Sequence, residues 1–167
     1  TEADNWALKG IASQLKDKGK HIVTSVIEHP AIHTACKQLE KYGWEITYLP
    51  VDGQGFVSAV DLENALREDT VLVSIMYANN EIGTVQPIGE LCEIAHKHGV
   101  LFHTDAVQAT GAIKYDVKEL GVDLLSMSAH KFYGPKGMGA LYVRNGLRIE
   151  KLLAGGEQER AHRGGTT

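Results

Sequence analysis

The segment Ser128 to Gly137 contains several side chains that can do chemistry within a short stretch. A hydroxyl, an imidazole and an amine occur within four residues, at Ser128, His130 and Lys131. Such a group suits an anionic cofactor, and a lysine at the end of a buried strand can form a Schiff base with a carbonyl compound. A solvated lysine in a glycine-rich loop fits the same residues. The segment is not a P-loop, because no Lys-Ser or Lys-Thr pair follows its glycines.

Asp105 is the second residue whose position suggests chemistry, because it follows an apolar run that reads as a buried strand. A carboxylate there must find a partner or remain at the mouth of the sheet. One suitable partner is a protonated ring nitrogen, such as that of pyridoxal phosphate, which needs an acidic residue against it. The other interpretation is a helix N-cap, a position that aspartate favours. Both interpretations stay open at the level of sequence.

The first four residues, Thr1 to Asp4, have the spacing of a helix capping box. In that interpretation the Thr1 hydroxyl and the Asp4 carboxylate satisfy backbone groups of the first turn. A helix N-terminus with a free hydroxyl and exposed amide groups is also a phosphate site. The structural and the ligand-binding roles of Thr1 are therefore compatible.

The remaining histidines and cysteines suggest no further site. His29 and His33 are four residues apart, but the glutamate of an H-E-x-x-H motif is missing and Pro30 places His29 at or before the first helical turn. No metal site is expected. Cys36 and Cys92 lie in predicted helices near apolar stripes, which favours buried, unreactive thiols. Surface or loop positions are expected for His21, His96, His98 and His162.

Apolar runs and helical patterns alternate along the whole chain, and no repeat or linker interrupts them. Strands rich in Val, Ile and Leu that are separated by helices are typical of a mostly parallel sheet covered on both faces. The predicted fold is therefore α/β, in one domain with three layers. The predicted helices span residues 3–18, 31–42, 59–66 and 88–98, and the predicted strands span 21–26, 45–49, 71–76, 100–103, 122–127 and 139–143.

In such sheets ligands bind at the carboxyl ends of the strands, so the residues that follow each strand are the candidates for chemistry. Four of these segments are rich in polar and ionisable side chains. They are Glu28-His29-Pro30, Asn79-Asn80-Glu81, His103 to Gln108, and Ser128 to Lys131.

Composition limits the classes of function. The chain has 167 residues, of which 43% are hydrophobic and 23% charged, as in an ordinary soluble domain rather than a disordered or membrane protein. A net charge of −4 argues against nucleic acid as a partner. Two cysteines without a C-x-x-C pair give no disulfide framework and favour a reducing, cytoplasmic compartment. The opening residues include neither an initiating Met nor a signal segment, so we expect a fragment that begins within a longer protein.

Taken together, these residues resemble the pyridoxal-phosphate-dependent cysteine desulfurases of the NifS type, within the class V aminotransferase-like group of fold type I enzymes. The resemblance covers nearly the whole chain and implies that residues 1–167 are the large, cofactor-binding domain of such an enzyme. It rests on six motifs in the family's order: Thr1 to Asn5, Thr24 to His29, Asn79 to Gly83, His103 to Gln108, Ser128 to Lys131, and Arg163 to Thr166.

The resemblance implies a role for each matching residue. Lys131 matches the family lysine that binds the cofactor covalently and then moves protons on the substrate carbon. His29 matches the histidine stacked on the cofactor ring, where an imidazole can also exchange protons near neutral pH. Asp105 matches the partner of the pyridinium nitrogen, which favours the first of its two interpretations.

Further implied roles concern the edges of the cofactor. Gln108 resembles the residue that bonds the phenolic oxygen, and Asn80 matches a neighbour on the same edge. Thr166 matches a threonine that reaches the phosphate of the neighbouring subunit, which implies a homodimer with shared sites. The implied phosphate ligands within the chain are Thr1, Ser128 and His130.

The implied reaction takes sulfur from L-cysteine, leaves L-alanine, and passes a persulfide to an acceptor protein for iron–sulfur cluster or thio-cofactor assembly. In the family, the nucleophilic cysteine and the arginine that holds the substrate carboxylate lie beyond residue 167, and neither Cys36 nor Cys92 is in a matching motif. The chain by itself is therefore expected to be inactive. The alternatives are a selenocysteine lyase or another class V enzyme, and a catalytically silent scaffold.

Overall fold

The computed structural model describes residues 1–165, in which helices and strands alternate as predicted. The helices are α1 (Glu2–Leu15), α2 (Pro30–Glu40), α3 (Ala59–Ala65), α4 (Ile88–Lys97), α5 (Val117–Leu120) and α6 (Gln158–Ala161). The strands are β1 (His21–Ser25), β2 (Glu45–Leu49), β3 (Thr70–Ser74), β4 (Leu101–Asp105), β5 (Leu124–Ser128) and β6 (Gly139–Val143). A 3₁₀ turn, Ala129–Phe132, follows β5 and is called the lysine turn below.

The strands form one sheet in the order β2-β1-β3-β4-β5-β6. Neighbouring strands from β2 to β5 are parallel, and β6 pairs antiparallel with β5. This confirms the predicted mostly parallel sheet. The chain moves from β1 outward to β2 and then back across to β3, so the direction of winding reverses between β1 and β3. Such a switch point opens a crevice at the carboxyl ends of the strands, where ligands bind.

Helices cover both faces of the sheet, which confirms the three predicted layers. On one face, Leu8 and Ile11 of α1 pack with Ile32 of α2 in one buried cluster. On the other face, Leu62 of α3 and Leu91 of α4 belong to a second cluster. β1, β3 and most of β4 and β5 are buried, so the central strands show no alternation of buried and exposed positions, as in a sheet covered on both faces.

Several local predictions can be compared directly with the structure. β2 and β6 have the predicted bounds. At the start of α3, the Ser58 side chain caps the helix by accepting a hydrogen bond of 3.2 Å from the Asp61 amide. Thr1 does occupy the N-cap position of α1, but its side chain makes no capping bond. The capping-box prediction is therefore wrong in that respect, and the Thr1 hydroxyl is not used by the helix.

His21 is another correction, because it is buried in β1 rather than on the surface. Its Nδ1 lies 2.7 Å from Thr70 Oγ1 and its Nε2 lies 2.8 Å from Thr47 Oγ1. Hydroxyls on both neighbouring strands thus satisfy the ring, which makes its burial tolerable. Burial lowers the pKa of His21, so the neutral ring is favoured.

Among residues 1–165, the longest helix is α1 with 14 residues, and no described helix is long and apolar enough to cross a bilayer.

Candidate active site

The loops that leave the carboxyl ends of β1, β3, β4 and β5 meet the start of α1 around one cavity of about 320 Å³. That volume lies at the lower end of the range of about 300–1,000 Å³ typical of small-molecule sites. The position is the switch point between β1 and β3, extended toward β5. The cavity is lined by Thr1, Asp4, His29, Met76, Ala78, Asn80, Asp105, Val107, Gln108, Ser128, His130 and Lys131.

The structure brings together eight of the nine residues predicted from the sequence. The ninth, Thr166, lies outside the described residues. The roles of these residues stay predictions, but their placement around one cavity is observed. The eight are Thr1, His29, Asn80, Asp105, Gln108, Ser128, His130 and Lys131.

The lysine turn places Lys131 at the exposed mouth of this cavity. The turn closes through a hydrogen bond of 2.8 Å from the Gly134 amide to the Ala129 carbonyl. A Cβ added at position 134 would lie 2.7 Å from the Ala129 Cβ, so the turn requires glycine there. Within the same segment, Ser128 Oγ lies 2.8 Å from His130 Nδ1, which holds the hydroxyl and the imidazole together beside the lysine.

His29 reaches the cavity because it is the N-cap of α2. Its Nδ1 accepts a hydrogen bond of 3.2 Å from the Ala31 amide, and Pro30 occupies the first helical position. Since Nδ1 acts as an acceptor, the proton of a neutral ring is carried by Nε2. His33 behaves differently: its Nε2 lies 3.2 Å from the Val26 carbonyl oxygen, and no metal-binding cluster is found among residues 1–165.

Asp105, at the end of β4, combines features of both interpretations left open by the sequence. Its Oδ1 accepts the Val107 amide at 2.9 Å, so it stabilises the turn that follows β4, although no helix begins there. The carboxyl group also lines the cavity and is only 5% exposed. Burial, and secondly the charge of Asp4, raise the pKa of Asp105 to about 7. Oδ1 of Asp105 is used by this backbone hydrogen bond, whereas Oδ2 is available to a ligand.

Two buried carboxyl groups near Asp105 were not predicted as site residues. Asp4 lines the cavity at 2% exposure; its Oδ2 lies 3.4 Å from the backbone nitrogen of Thr1, and within residues 1–165 its Oδ1 has no hydrogen-bond partner. From the sequence, Asp4 is predicted only to cap α1, because which side of α1 faces a cavity depends on the fold. Met76, Ala78 and Val107 also line the cavity and were missed, since apolar residues carry no chemical signal.

Glu28, beside His29, is the other buried carboxyl group. Its Oε1 accepts the Ser25 hydroxyl at 2.6 Å and the Met76 amide at 2.9 Å, while its buried Oε2 has no partner among the described residues. These bonds join the loop that carries His29 to the end of β3. Burial raises the pKa of Glu28 to about 8 against the lowering effect of its two hydrogen bonds. The protonated carboxyl is thus the favoured form at neutral pH.

A hydrogen-bonded loop presents Asn80. The Asn79 side-chain oxygen accepts the amides of Glu81 at 2.8 Å and Ile82 at 3.0 Å, and its Nδ2 donates to the Ile27 carbonyl at 2.9 Å. Asn79 is therefore a structural residue, whereas Asn80 lines the cavity.

A Cys–His–Asp set at the other end of the sheet does not form a second site. Cys92 Sγ lies 3.7 Å from His96 Nε2, but the same nitrogen lies 2.9 Å from Asp123 Oδ2. Cys92 Sγ also lies 3.9 Å from His96 Nδ1, so both ring nitrogens face the thiol at distances too long for a strong hydrogen bond, and the reactive form, a thiolate, is what burial disfavours. Cys92 is 1% exposed and burial raises its pKa to about 12, as burial also does for Cys36. The prediction that both thiols are buried is confirmed.

Comparisons with known proteins agree with this geometry. The family model for aminotransferase class V matches residues 1–164. The chain is 61% identical over 166 residues to a cysteine desulfurase IscS of Methanosarcina thermophila and 58% identical over 166 residues to one of Clostridium botulinum. Among solved structures, a NifS-like protein superposes with a TM-score of 0.96 at 45% identity, and SspA in complex with cysteine does so with 0.96 at 43%.

These matches cover 99% of this chain but only part of each relative: 41% and 42% of the two desulfurases, and 46% and 48% of the two structures. The chain thus spans less than half the length of the proteins it matches. The resemblance to NifS-type cysteine desulfurases and the predicted fold class are confirmed. The cavity at the switch point and the family match over residues 1–164 lead to one conclusion: this chain belongs to the class V aminotransferase family.

Proposed function

We propose that the complete protein is a pyridoxal-phosphate-dependent cysteine desulfurase and that residues 1–167 form its cofactor-binding large domain. The observation that carries this proposal is that Lys131, Asp105 and His29 line the same cavity. Two of the relatives that match over nearly the whole chain are named cysteine desulfurases. The proposed reaction takes sulfur from L-cysteine, leaves L-alanine, and passes the sulfur to an acceptor protein for iron–sulfur cluster or thio-cofactor assembly.

The side chains around the cavity fit pyridoxal phosphate. The cofactor needs an amine for its aldehyde, an acid for its ring nitrogen, and hydroxyl or imidazole groups for its phosphate. Lys131 provides the amine and Asp105 provides an acid with one oxygen left for a ligand. The Thr1 hydroxyl, which makes no capping bond, lies at the start of α1, where amide groups favour a phosphate. The Ser128 and His130 side chains complete that set.

Each residue has a defined task in the proposed reaction. Pyridoxal phosphate, when bound, supplies an electron sink for the substrate carbon. Lys131 holds the cofactor and, once released, moves a proton at the substrate carbon. Asp105 keeps the ring nitrogen protonated. His29, held through Nδ1, presents Nε2–H to the cavity and donates or takes a proton there, while Gln108 and Asn80 bond the phenolic edge of the ring.

The proposal extends to the assembly and compartment. A homodimer with shared sites is proposed because Thr166 matches the residue that reaches across in the family. Exposed apolar side chains in and just after the lysine turn support a covered surface there: Phe132, Tyr133 and Met138. A cytoplasmic location is supported by two buried cysteines that form no disulfide.

The activity test uses the complete protein and L-cysteine, with L-alanine and released sulfide measured in the presence of a thiol reductant. The expected result is equal amounts of both products, abolished by Lys131→Ala. Lys136→Ala is the matched control, because this lysine is exposed in the same loop but does not line the cavity. Residues 1–167 alone are expected to release no sulfide.

Other outcomes would overturn the proposal. Turnover of L-selenocysteine without turnover of L-cysteine would indicate a lyase of the same family. A folded protein that takes up no pyridoxal phosphate would indicate a silent scaffold. Sulfide release by residues 1–167 without added thiol would contradict the assignment of the sulfur-accepting cysteine to a later part of the protein.

A further inference from the structure

Asp4 is a nearly fully buried carboxyl group that the proposed reaction has not used. It lies in the first turn of α1, is 2% exposed, and lines the same cavity as Asp105. Its Oδ1 is buried and has no partner among residues 1–165. Burying a carboxylate oxygen without a hydrogen-bond partner costs free energy. Because Asp4 lines a ligand cavity, its Oδ1 points to a partner group that the ligand supplies.

A capping role does not account for this position. Thr1 makes no side-chain capping bond, so the reciprocal contacts of a capping box are missing. The Asp4 carboxylate instead lies near a second acid, and its charge raises the pKa of Asp105. Like charges that share a buried site favour binding of one positive charge or one proton between them.

The charged and titratable groups that face this pair come from each surrounding element. The backbone nitrogen of Thr1 lies 3.4 Å from Asp4 Oδ2. The charges of Asp105 and Asp4 both raise the pKa of buried Glu28, and the charge of Asp4 also acts on the buried ring of His103 in β4. Burial lowers the pKa of His103 to about 4, so this ring stays neutral and gives the pair no charge. At the mouth, His29, His130 and Lys131 line the same cavity.

We propose that Asp4 is a second carboxyl group that acts with Asp105 to hold the protonated ring nitrogen of the cofactor, so that two acids rather than one keep that nitrogen protonated. Asp105 makes the direct contact, and Asp4 is a positioning residue that acts through the field of its charge. This inference rests on the proposed pyridoxal phosphate site, but its first prediction concerns the protein without cofactor.

The first experiment follows the carboxyl carbons of Asp4 and Asp105 by ¹³C NMR during a pH titration of the complete, cofactor-free protein. Coupled acids share their protons, so each carbon should report the titration of the other as a second step. Asp4→Asn should lower the Asp105 midpoint by about 1 pH unit. Asp17→Asn is the matched control, because Asp17 follows α1 but is exposed, and it should leave the midpoint unchanged.

The second experiment measures the ring nitrogen itself. The complete protein is reconstituted with pyridoxal phosphate labelled with ¹⁵N in the ring, and the ¹⁵N shift is followed with pH. The protonated ring should persist to higher pH in the wild-type protein and in Asp17→Asn than in Asp4→Asn, by about 1 pH unit.

The outcomes separate this inference from the proposed function. Independent single-step titrations of Asp4 and Asp105 in the wild-type protein would overturn the pairing even if Asp4→Asn failed to fold. An unchanged ring-nitrogen profile in Asp4→Asn would overturn the role toward the cofactor. Failure of the wild-type protein to bind pyridoxal phosphate would overturn the proposed function, whereas the cofactor-free titration would still decide whether the two acids are coupled.

Discussion

Two buried acids at opposite ends of the sheet have very different surroundings. Asp123, just before β5, is 0% exposed and fully bonded: its Oδ2 accepts the Phe102 amide at 2.8 Å and lies 2.9 Å from His96 Nε2, and its Oδ1 accepts Arg144 Nε at 2.7 Å. Asp105, at the end of β4, has one backbone bond, from the Val107 amide. Asp123 joins parts of the fold, whereas Asp105 keeps bonding capacity for something else.

The difference extends to the groups around each acid. The amino-edge cluster of Asp123, His96 and Arg144 includes its own cation, so its charge is compensated within the chain. The carboxyl-edge cluster of Asp4, Glu28 and Asp105 contains three buried acids, two of which have a buried oxygen without a partner in the described part of the chain. A buried acid with a partner indicates a structural role, and buried acids without one whose pKa is raised beside a cavity indicate a ligand.

The largest expected effect separates function from stability at the carboxyl edge. His29→Asn keeps an N-cap residue but removes the imidazole, so turnover of L-cysteine by the complete protein should fall by about 10²–10⁴-fold with little change in Tm. His29→Ala should lose both turnover and thermal stability, because it removes the imidazole and the N-cap side chain. His33→Asn, on the same helix but outside the cavity, is the control and should retain turnover. Steady-state kinetics and thermal unfolding measure both properties, and full activity in His29→Asn would refute an acid–base role.

The amino edge should show the opposite pattern. Asp123→Ala leaves the Phe102 amide and Arg144 without their acceptor, so the free energy of unfolding should fall by about 3 kcal/mol. Asp69→Ala, which removes an exposed pair with Arg67, should cost less than about 1 kcal/mol. Urea titrations measure both. Two results would contradict the difference between the two edges. One is a small loss of unfolding free energy in Asp123→Ala, and the other is an Asp123→Ala variant that folds but no longer binds the cofactor.

Glu28 predicts a pH dependence of stability. Because its pKa is raised from 4.5 to about 8, the folded protein keeps a proton that the unfolded chain releases between these values. The free energy of unfolding should therefore fall as pH rises through this window, by up to about 1.4 kcal/mol per pH unit. Asp105 lowers the free energy of unfolding in the same direction, between its ordinary pKa of 3.8 and its raised pKa of about 7.

Glu28→Gln should reduce this slope, because glutamine stays neutral in both states. The exposed Glu68→Gln is the control and should leave the slope unchanged. Denaturant titrations at pH 5, 7 and 9 give the comparison. Equal slopes in wild type and Glu28→Gln would mean that Glu28 is ionised in the folded protein.

The smallest expected effect concerns Cys92. Because its thiol is 1% exposed and burial raises its pKa to about 12, Cys92→Ala should leave sulfur transfer unchanged and reduce stability by about 1 kcal/mol. Cys36→Ala, at another buried thiol, is the matched comparison. Sulfide release with each variant checks this prediction, and loss of activity in Cys92→Ala alone would assign a catalytic role to the amino edge.

The sequence was most informative where a pattern has one structural meaning. Runs of Val, Ile and Leu defined the strands, and the rule that ligands bind at strand ends placed His29, Asn80, Asp105 and Lys131 at the same edge. His21 was misplaced, because nothing in the sequence shows that hydroxyls of two neighbouring strands would satisfy its ring.

Asp4 and Glu28 were missed as parts of the site for a related reason. Each fits a common local pattern, a first-turn acid and a residue after a strand, and only the packing of α1 and α2 against the sheet buries them. Burial and missing partners are properties of the folded chain. They are therefore visible only once the elements are assembled.

The most direct test of the central claim is to add pyridoxal phosphate to the complete protein, reduce it with borohydride, and locate the modified lysine by mass spectrometry after digestion. The predicted result is one phosphopyridoxyl adduct, on Lys131, with Lys136 in the same loop unmodified. Absence of an adduct, or labelling scattered over many lysines, would contradict the assignment of the carboxyl-edge cavity as the cofactor site.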